Sequence, residues 1–595
     1  MKPLAAGFSR ALSVVLGTAF VAVGAVALLG LAPRPDIYKT GLILVVVLAA
    51  VLLPWPKDNS WRGGAAIGIV AGIAGVVGYG LLSDGPAIGP GQVGALLGAL
   101  VTFPLLRLAG SGGLGPRFVR FALLILLVVV GIAFVRTILG GGAFGHDESA
   151  YVLKARSWVE GTPDTGWSLH RGPFVSWLAV AVVAFTESEA AVRLVGSLLS
   201  VAALAGVMLV ARRMGGLWAA LIAGATVGAS LPYLRRGAEY LTDVPAAGVL
   251  LCIVAVVLAG VHNPERGRRL VIWLGPLVAL GFYVRYQSAL SMIGIALATV
   301  VVWPRVVKRL RRPLLMAGAI AFTLLLPHFI WATVITGRPW GVVLLTEEVS
   351  GRAFVGEGLA DYAGMFPKDL AGPAGALLMV VAMLWVVWSL IVGARQRSED
   401  ARLSGFVTIV VIVAVVPLGL VAHGEPRFVF FPVWLLIALG AHVLVGVARR
   451  LTPRQLVTLV AVAAIGWIFL FTETVNRTDR QAEARAAGFQ TVVDASEYIE
   501  LASSGTCGVL TSYLPQVTWY SKCFTDGFSN ESAEASIDRL EGDKRYVLLF
   551  ENGKRQPAPD RVQDFLELGP VSEIYSSNES IGDATIVAVP GDTEP

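Results

Sequence analysis

The sequence predicts a polytopic α-helical membrane protein that ends in a small α/β domain. Three observations predict it. Of 595 residues, 55% are hydrophobic and only 15% are charged, against about 25% charged in a soluble globular chain. About fifteen apolar runs approach or reach the roughly 20 residues that a helix needs to cross a hydrocarbon core. Beyond residue 475 these runs stop and the chain turns polar.

The runs lie at 11–32, 40–54, 63–82, 91–109 and 118–138, then at 190–211, 216–234, 243–261, 270–284 and 286–303. They continue at 313–334, 375–394, 403–421, 427–447 and 456–474. The first has no small-residue cleavage site and reads as a span rather than a cleaved leader. Three segments are expected: 1–110, a set of extra transmembrane helices; 111–475, a transmembrane module with outer loops 139–189 and 336–374; and 476–595, the α/β domain.

The net charge of +6 does not indicate nucleic acid, because the basic residues sit in short loops beside apolar runs, as topology signals do. With Lys2 and Arg10 in the cytoplasm, the strongly basic loops fall on that side: Arg212-Arg213, Arg266/Arg268/Arg269, Arg305–Arg312 and Arg449-Arg450. A multi-pass protein of the plasma (inner) membrane is expected, N-terminus cytoplasmic and C-terminal domain extracytoplasmic. In that domain, apolar runs at Gly508–Thr511, Tyr546–Phe550 and Ala584–Val589 alternate with helical stretches at Gln481–Leu501 and Ala533–Leu540. There is no GxGxxG and no P-loop to hold a nucleotide. Cys507 and Cys523 either pair there or remain two buried thiols.

Polar features then converge on the outer face. Asp147-Glu148 follows the fifth run and opens a predicted amphipathic helix over Ser149–Glu160. Paired carboxylates divide labour between base and metal or hydroxyl binding, and acids at the start of a helix also suit its dipole. His170-Arg171-Gly172-Pro173 can supply a metal ligand and a phosphate contact, or simply anchor an interfacial helix. In Arg235-Arg236…Glu239…Thr242-Asp243-Val244-Pro245, Thr242 is placed to cap the next span. The two arginines run against the topology rule, and an anionic ligand would explain them. Arg285, in Tyr283-Val284-Arg285-Tyr286-Gln287, either snorkels or meets a lipid phosphate. His423, Glu425 and Arg427 form a charged turn before Pro432. The loop 336–374, with Glu347, Glu348, Glu357, Asp361 and Lys368, is long enough to be a substrate lid. Together these outline an outward cavity in which arginines hold a phosphate leaving group while an aspartate deprotonates an acceptor hydroxyl attacking a sugar C1.

In this order the motifs resemble the GT-C superfamily of integral-membrane glycosyltransferases, over about residues 118–475. They are most similar to its protein O-mannosyltransferases and lipid A aminoarabinose transferases. The landmarks are Asp147-Glu148, His170-Arg171-Gly172-Pro173…Trp177, Ala191-Val192-Arg193-Leu194 with Ala211–Gly215, Leu241–Pro245, Val284-Arg285-Tyr286 and His423…Arg427…Pro432. The resemblance implies a hexosyl or pentosyl transfer from a polyprenyl-phosphate donor to a glycan, lipid or protein acceptor, with inversion. It implies Asp147 as general base assisted by Glu148, and Arg171, Arg285 and Arg427 on the donor phosphate. Asp243, Tyr151, Tyr286 and His423 are grouped as acceptor-side, sugar-side or supporting residues. Arg171 stands where lysine is common and Gly172 where a second proline is common. His170 stands where some members have a metal-binding carboxylate, which leaves room for a divalent metal ion as cofactor. The rivals are a lipid-linked polysaccharide polymerase or ligase, a transporter or flippase, and a non-catalytic scaffold. No internal repeat supports a transporter, and the polar residues sit at the ends of spans rather than at the midplane.

Overall fold

The computed structural model describes residues 116–348, 353–396, 398–503, 505–576 and 580–590. The predicted runs before residue 110 therefore lie outside the described residues. Among those described, nine helices are long and apolar enough to cross a membrane, and the chain is a multi-pass membrane protein. Each predicted run from 118 onward falls on a helix. The run at 216–234 is a broken pair, Leu217–Gly228 and Leu231–Gly237, bent by 72°. Ser230 turns its hydroxyl back to the Val227 carbonyl at 2.8 Å, and Pro232, with no N–H to give, starts the second piece. The run at 286–303 is shorter than a full span, Ser288–Val302.

Two helices lie deepest in the bundle. Asp243–His262 and Pro426–Ala448 are each 78% buried along their apolar window, against 28% for Pro116–Leu139. Small residues allow this. A Cβ on Gly248 would come within 2.5 Å of Ala203, so the Asp243 helix and Glu189–Gly215 touch nearly backbone to backbone. These two innermost helices begin with Asp243 and, in the 3₁₀ turn that leads into the second, Arg427. The fold thus carries both to one end of its core. Helix connectivity sends Arg212-Arg213, Arg268-Arg269 and Arg449-Arg450 to the other end.

The last span does not stop at 474. It continues as one helix, Pro453–Ala502, opened by a reciprocal Thr452/Gln455 cap. Past Phe471 the apolar sequence gives way to alanine-rich polar sequence with an i,i+4 pair between Glu473 and Arg477 at 2.7 Å, which favours continued helix. The 50 residues reach about 75 Å at 1.5 Å per residue. Their far end supplies Val492, Ala495 and Ile499 to the core of the C-terminal sheet.

That sheet has five strands in the order β2-β1-β3-β5-β4: β1 (Cys507–Leu510), β2 (Phe524–Asp526), β3 (Lys544–Phe550), β4 (Val571–Ile574) and β5 (Ala584–Val589). β1 runs parallel to β2 and β3, and β5 runs antiparallel to β3 and β4. The predicted strands are the central three. The two edge strands, short and weakly apolar, were not expected. Cys507 and Cys523 are joined as a disulfide, which ties β1 to the residue before β2.

The domain is docked onto the helix that carries Asp147. Arg156 is fully buried, donates to the Trp519 and Thr518 carbonyls at 2.8 Å each, and stacks on the Trp519 ring. The Phe144 backbone N–H donates to the Tyr520 hydroxyl at 3.1 Å, and that hydroxyl donates to Glu189. The long loop 336–374 is partly helical. It holds the helices Gly341–Glu348 and Glu357–Met365, and Asp361 accepts the Gly424 N–H at 2.7 Å, which packs the second helix against the His423–Arg427 turn.

Candidate active site

Asp147 lies in the first turn of the helix His146–Glu160, where an acid suits the positive end of the helix dipole. Its two oxygens are divided between two cations. Arg171 Nη2 donates to one at 3.0 Å and Arg427 Nη1 to the other at 2.8 Å. A second aspartate stands behind. Asp243 pairs with Arg285, and its other oxygen lies 3.9 Å from Arg427 Nη1. Three arginines and two aspartates from five separate chain segments, with Glu425 bonded to Arg427, therefore form one continuous cluster at the end of the innermost helices. Exposure separates the two acids: the Asp147 side chain is 27% exposed and that of Asp243 is 5%. Of the two aspartates, Asp147 is the one that a substrate can reach; Glu425, 30% exposed, is held by Arg427 alone of the three arginines.

Local sequence explains how each cation arrives. Gly172 lets the loop after Arg171 press against the Tyr283 and Val284 carbonyls, where a Cβ would come within 2.5 Å. A second proline could not sit there, so this departure from the family pattern has a steric cause. Arg285 occupies the extended break between the helices Leu274–Val284 and Ser288–Val302, and Gln287 accepts from its Nε at 2.9 Å. Arg427 opens the 3₁₀ turn Pro426–Val429. Arg285 and Arg427 both lie over the Phe428 ring, 4.9 and 5.3 Å from its centre, which holds two like charges side by side through cation–π attraction. Arg171 lies over Tyr151 at 5.3 Å.

Burial pushes the Asp147 carboxyl up, but the charges and hydrogen bonds of Arg171 and Arg427 outweigh it and hold the group well below the usual carboxylate range. Asp147 therefore stays ionised beside guanidiniums that can also meet an anion.

The other expected site residues have distinct places. Glu148, paired with Asp147 in the sequence reading, faces away from it. Its side chain is 2% exposed, and both oxygens are saturated by Arg193 (3.0 and 3.1 Å), the Tyr240 N–H (2.9 Å) and the Gly145 N–H (2.9 Å). Arg193 also donates to the Gly142 and Ala143 carbonyls. Glu148 therefore clamps the loop beneath Asp147 to the Glu189–Gly215 helix. The Thr242 side chain does not cap its helix; its hydroxyl meets that of Tyr151 at 3.2 Å. Tyr286 is packed against Phe282 and His328, in an aromatic cluster rather than among the cations. His423 lies against Phe428 and 3.4 Å from Glu425. Arg235 and Arg236 do not face the cluster, and both approach Glu239.

His170 hydrogen-bonds the Ser168 hydroxyl at 2.8 Å. Burial and then the Arg171 charge lower it to about 4. Among the described residues no three His, Cys, Asp or Glu side chains come together as a metal ligand set. The oxygens of Asp147 that would serve are already held by guanidiniums. The residues present do not fit the metal site that His170 was expected to join.

Residues 170–331 match the family described as dolichyl-phosphate-mannose-protein mannosyltransferase. No curated protein matches the sequence. Among solved structures, ArnT from Cupriavidus metallidurans in the apo state superposes with a TM-score of 0.56 at 16% identity, covering 78% of this chain and 97% of that one. The same protein bound to undecaprenyl phosphate gives 0.57 at 16% identity with the same coverage. The apo oligosaccharyltransferase of Archaeoglobus fulgidus gives 0.50 at 14% identity, over 72% of this chain and 69% of that one. The chain thus has an ArnT-like arrangement of helices closed by a small C-terminal sheet domain, and a stretch within it matches the mannosyltransferase family model.

Proposed function

We propose that the protein transfers a sugar from a polyprenyl-phosphate donor to an acceptor hydroxyl, with inversion, at the membrane face bearing the C-terminal domain. That face is read as extracytoplasmic and the membrane as the plasma membrane, on the strength of the basic loops at the opposite end. One observation carries the reading. A half-buried carboxylate, Asp147, is gripped by two arginines from separate segments, Arg171 and Arg427, with Arg285 and Asp243 directly behind.

The chemistry follows from that grip. Asp147 held by two guanidiniums is a weak base. A donor phosphate arriving at the headgroup level competes for Arg171, Arg285 and Arg427, which bind phosphate as readily as carboxylate. As they turn to the phosphate, the basicity of Asp147 rises. It then takes the acceptor hydroxyl proton while the oxygen attacks the sugar C1 and the C1–O bond to phosphate breaks. The leaving polyprenyl phosphate keeps the bonding electrons and stays paired with the arginines. Asp243, almost closed to solvent, keeps Arg285 in place. Glu148 is a positioning residue for the Asp147 helix.

Replacing Asp147 by Asn tests this in the full-length protein, assayed with a polyprenyl-phosphate-linked sugar. Loss of a positioned base should lower the transfer rate about 10²- to 10⁴-fold in a protein that remains folded. Undiminished transfer would remove Asp147 from the mechanism.

A further inference from the structure

Apart from the reaction centre, the structure gathers a second set of cations. Arg235, Arg236 and Arg485 converge on one carboxylate. Arg236 lies 2.7 Å from Glu239 and Arg485 lies 2.5 Å from it, whereas Arg235 approaches only to 4.0 Å, beyond hydrogen-bond reach. Glu239 is buried, at 8% side-chain exposure, and the Arg235 side chain is 43% exposed. The next carboxylate, Glu425, is bonded to Arg427. Three guanidiniums therefore share one fully available acid, and the most accessible of them is the least engaged.

Beside them is a cavity of about 40 Å³ whose lining includes Arg193, Arg235, Arg485, Thr137 and Thr478, with Glu239 itself on its wall. That exceeds the roughly 10–15 Å³ that a single water needs, so it can take a small polar group such as the free oxygens of a phosphate ester. Arg193 is committed to Glu148 and to backbone carbonyls, so Arg235 and Arg485 are the cations that face the space. Its depth is also informative. Thr137 is at the end of the span Pro116–Leu139, and Thr478 to Ala486 lie where the terminal helix passes from apolar to polar sequence. That is the level of lipid headgroups, where basic pockets between helices take phosphate.

We propose that this cavity is a phosphate-binding site, with Arg235 as its principal ligand and Arg485 as its second. Its occupant is either the headgroup of an anionic phospholipid or a free phosphate. A phosphate there neutralises the excess of cations over Glu239 and bridges the helix Leu231–Gly237 to the terminal helix that carries the C-terminal domain. Nothing in this inference depends on the transfer reaction.

The test uses the full-length protein in nanodiscs of zwitterionic lipid. A water-soluble short-chain phosphatidylglycerol and inorganic phosphate are titrated separately, with thermal stabilisation as the readout. Arg235→Gln should raise the half-saturating concentration about tenfold, the loss of one charge-assisted hydrogen bond. Arg235→Lys should fall between, because it keeps the charge and loses the fork. Arg402→Gln, at the opposite end of the bundle, should match the unchanged protein. Stabilisation by phosphatidylglycerol alone identifies a headgroup site, and stabilisation by both identifies a phosphate site in the wider sense. The proposal is overturned if neither ligand stabilises the protein. Equal half-saturation in the Arg235 variants, or an equal loss in Arg402→Gln, overturns it as well.

Discussion

Glu148→Gln separates positioning from chemistry at the paired acids, and its size can be worked out from the contacts. The carboxylate accepts four hydrogen bonds, two from Arg193 and one each from the Tyr240 and Gly145 N–H groups. A glutamine of the same shape keeps one acceptor oxygen and turns an NH₂ toward donors. At least one backbone N–H and part of the Arg193 fork are then left unpaired in a buried place. Breaking one side of a buried ion pair costs about 3–5 kcal/mol. Arg193 retains Glu189 at 3.6 Å and the Gly142 and Ala143 carbonyls, so the lower end, about 3 kcal/mol, is expected. Thermal unfolding of the purified protein, followed by tryptophan fluorescence, should move down by about 2–3 °C. Transfer activity should fall in step with the folded fraction, and recover when the assay is cooled. An undisturbed unfolding temperature with activity abolished would refute the clamp and return Glu148 to the chemistry. The acid sensitivity has a defined sign. Burial raises Glu148, yet Arg193 and the backbone donors leave it below its ordinary value. Its contribution is therefore complete above about pH 4.5 and is lost as pH falls through the lower folded-state value.

Two further outcomes are expected. His170, lowered to about 4, is neutral in the folded protein while the unfolded chain takes up its proton below about pH 6.5. Stability should therefore decline as pH drops from about 6.5 towards 4, and His170→Gln should flatten that slope in unfolding midpoints measured across the range; an unchanged slope would argue against the shift. The Cys507–Cys523 bridge closes a loop of sequence separation 16, for which chain entropy gives about 3 kcal/mol. Cys507→Ser should lower the stability of the C-terminal domain by that order in denaturant titration, and equal midpoints would show that the bridge is energetically idle.

The sequence by itself determined the class of this protein. Apolar runs of membrane length, and short apolar β-rich runs after the last of them, depend on local composition, so the helices from 118 onward and the three central strands were legible. The GT-C likeness was legible too, because it rests on motif order. Asp147, Arg171, Asp243, Arg285 and Arg427 could be named one by one as polar residues at span ends. Their pairing was a different matter. Which arginine meets which aspartate is set by close packing of the innermost helices, by Gly248 against Ala203 and Gly172 against the Tyr283 carbonyl, and no local pattern encodes it. The division of Asp147-Glu148 is likewise tertiary, since neighbouring side chains on a helix point about 100° apart and only the packed fold says which direction is buried. Arg193 stood in the sequence as a motif letter without a role. An arginine four residues after Glu189, inside an apolar helix, was the one available sign that a buried acid awaited it. The contacts of Arg156 with Trp519, and of Arg485 with Glu239, join segments hundreds of residues apart. Such partners are chosen by the folded chain, because charge buried in the core must find a counter-charge wherever packing brings one.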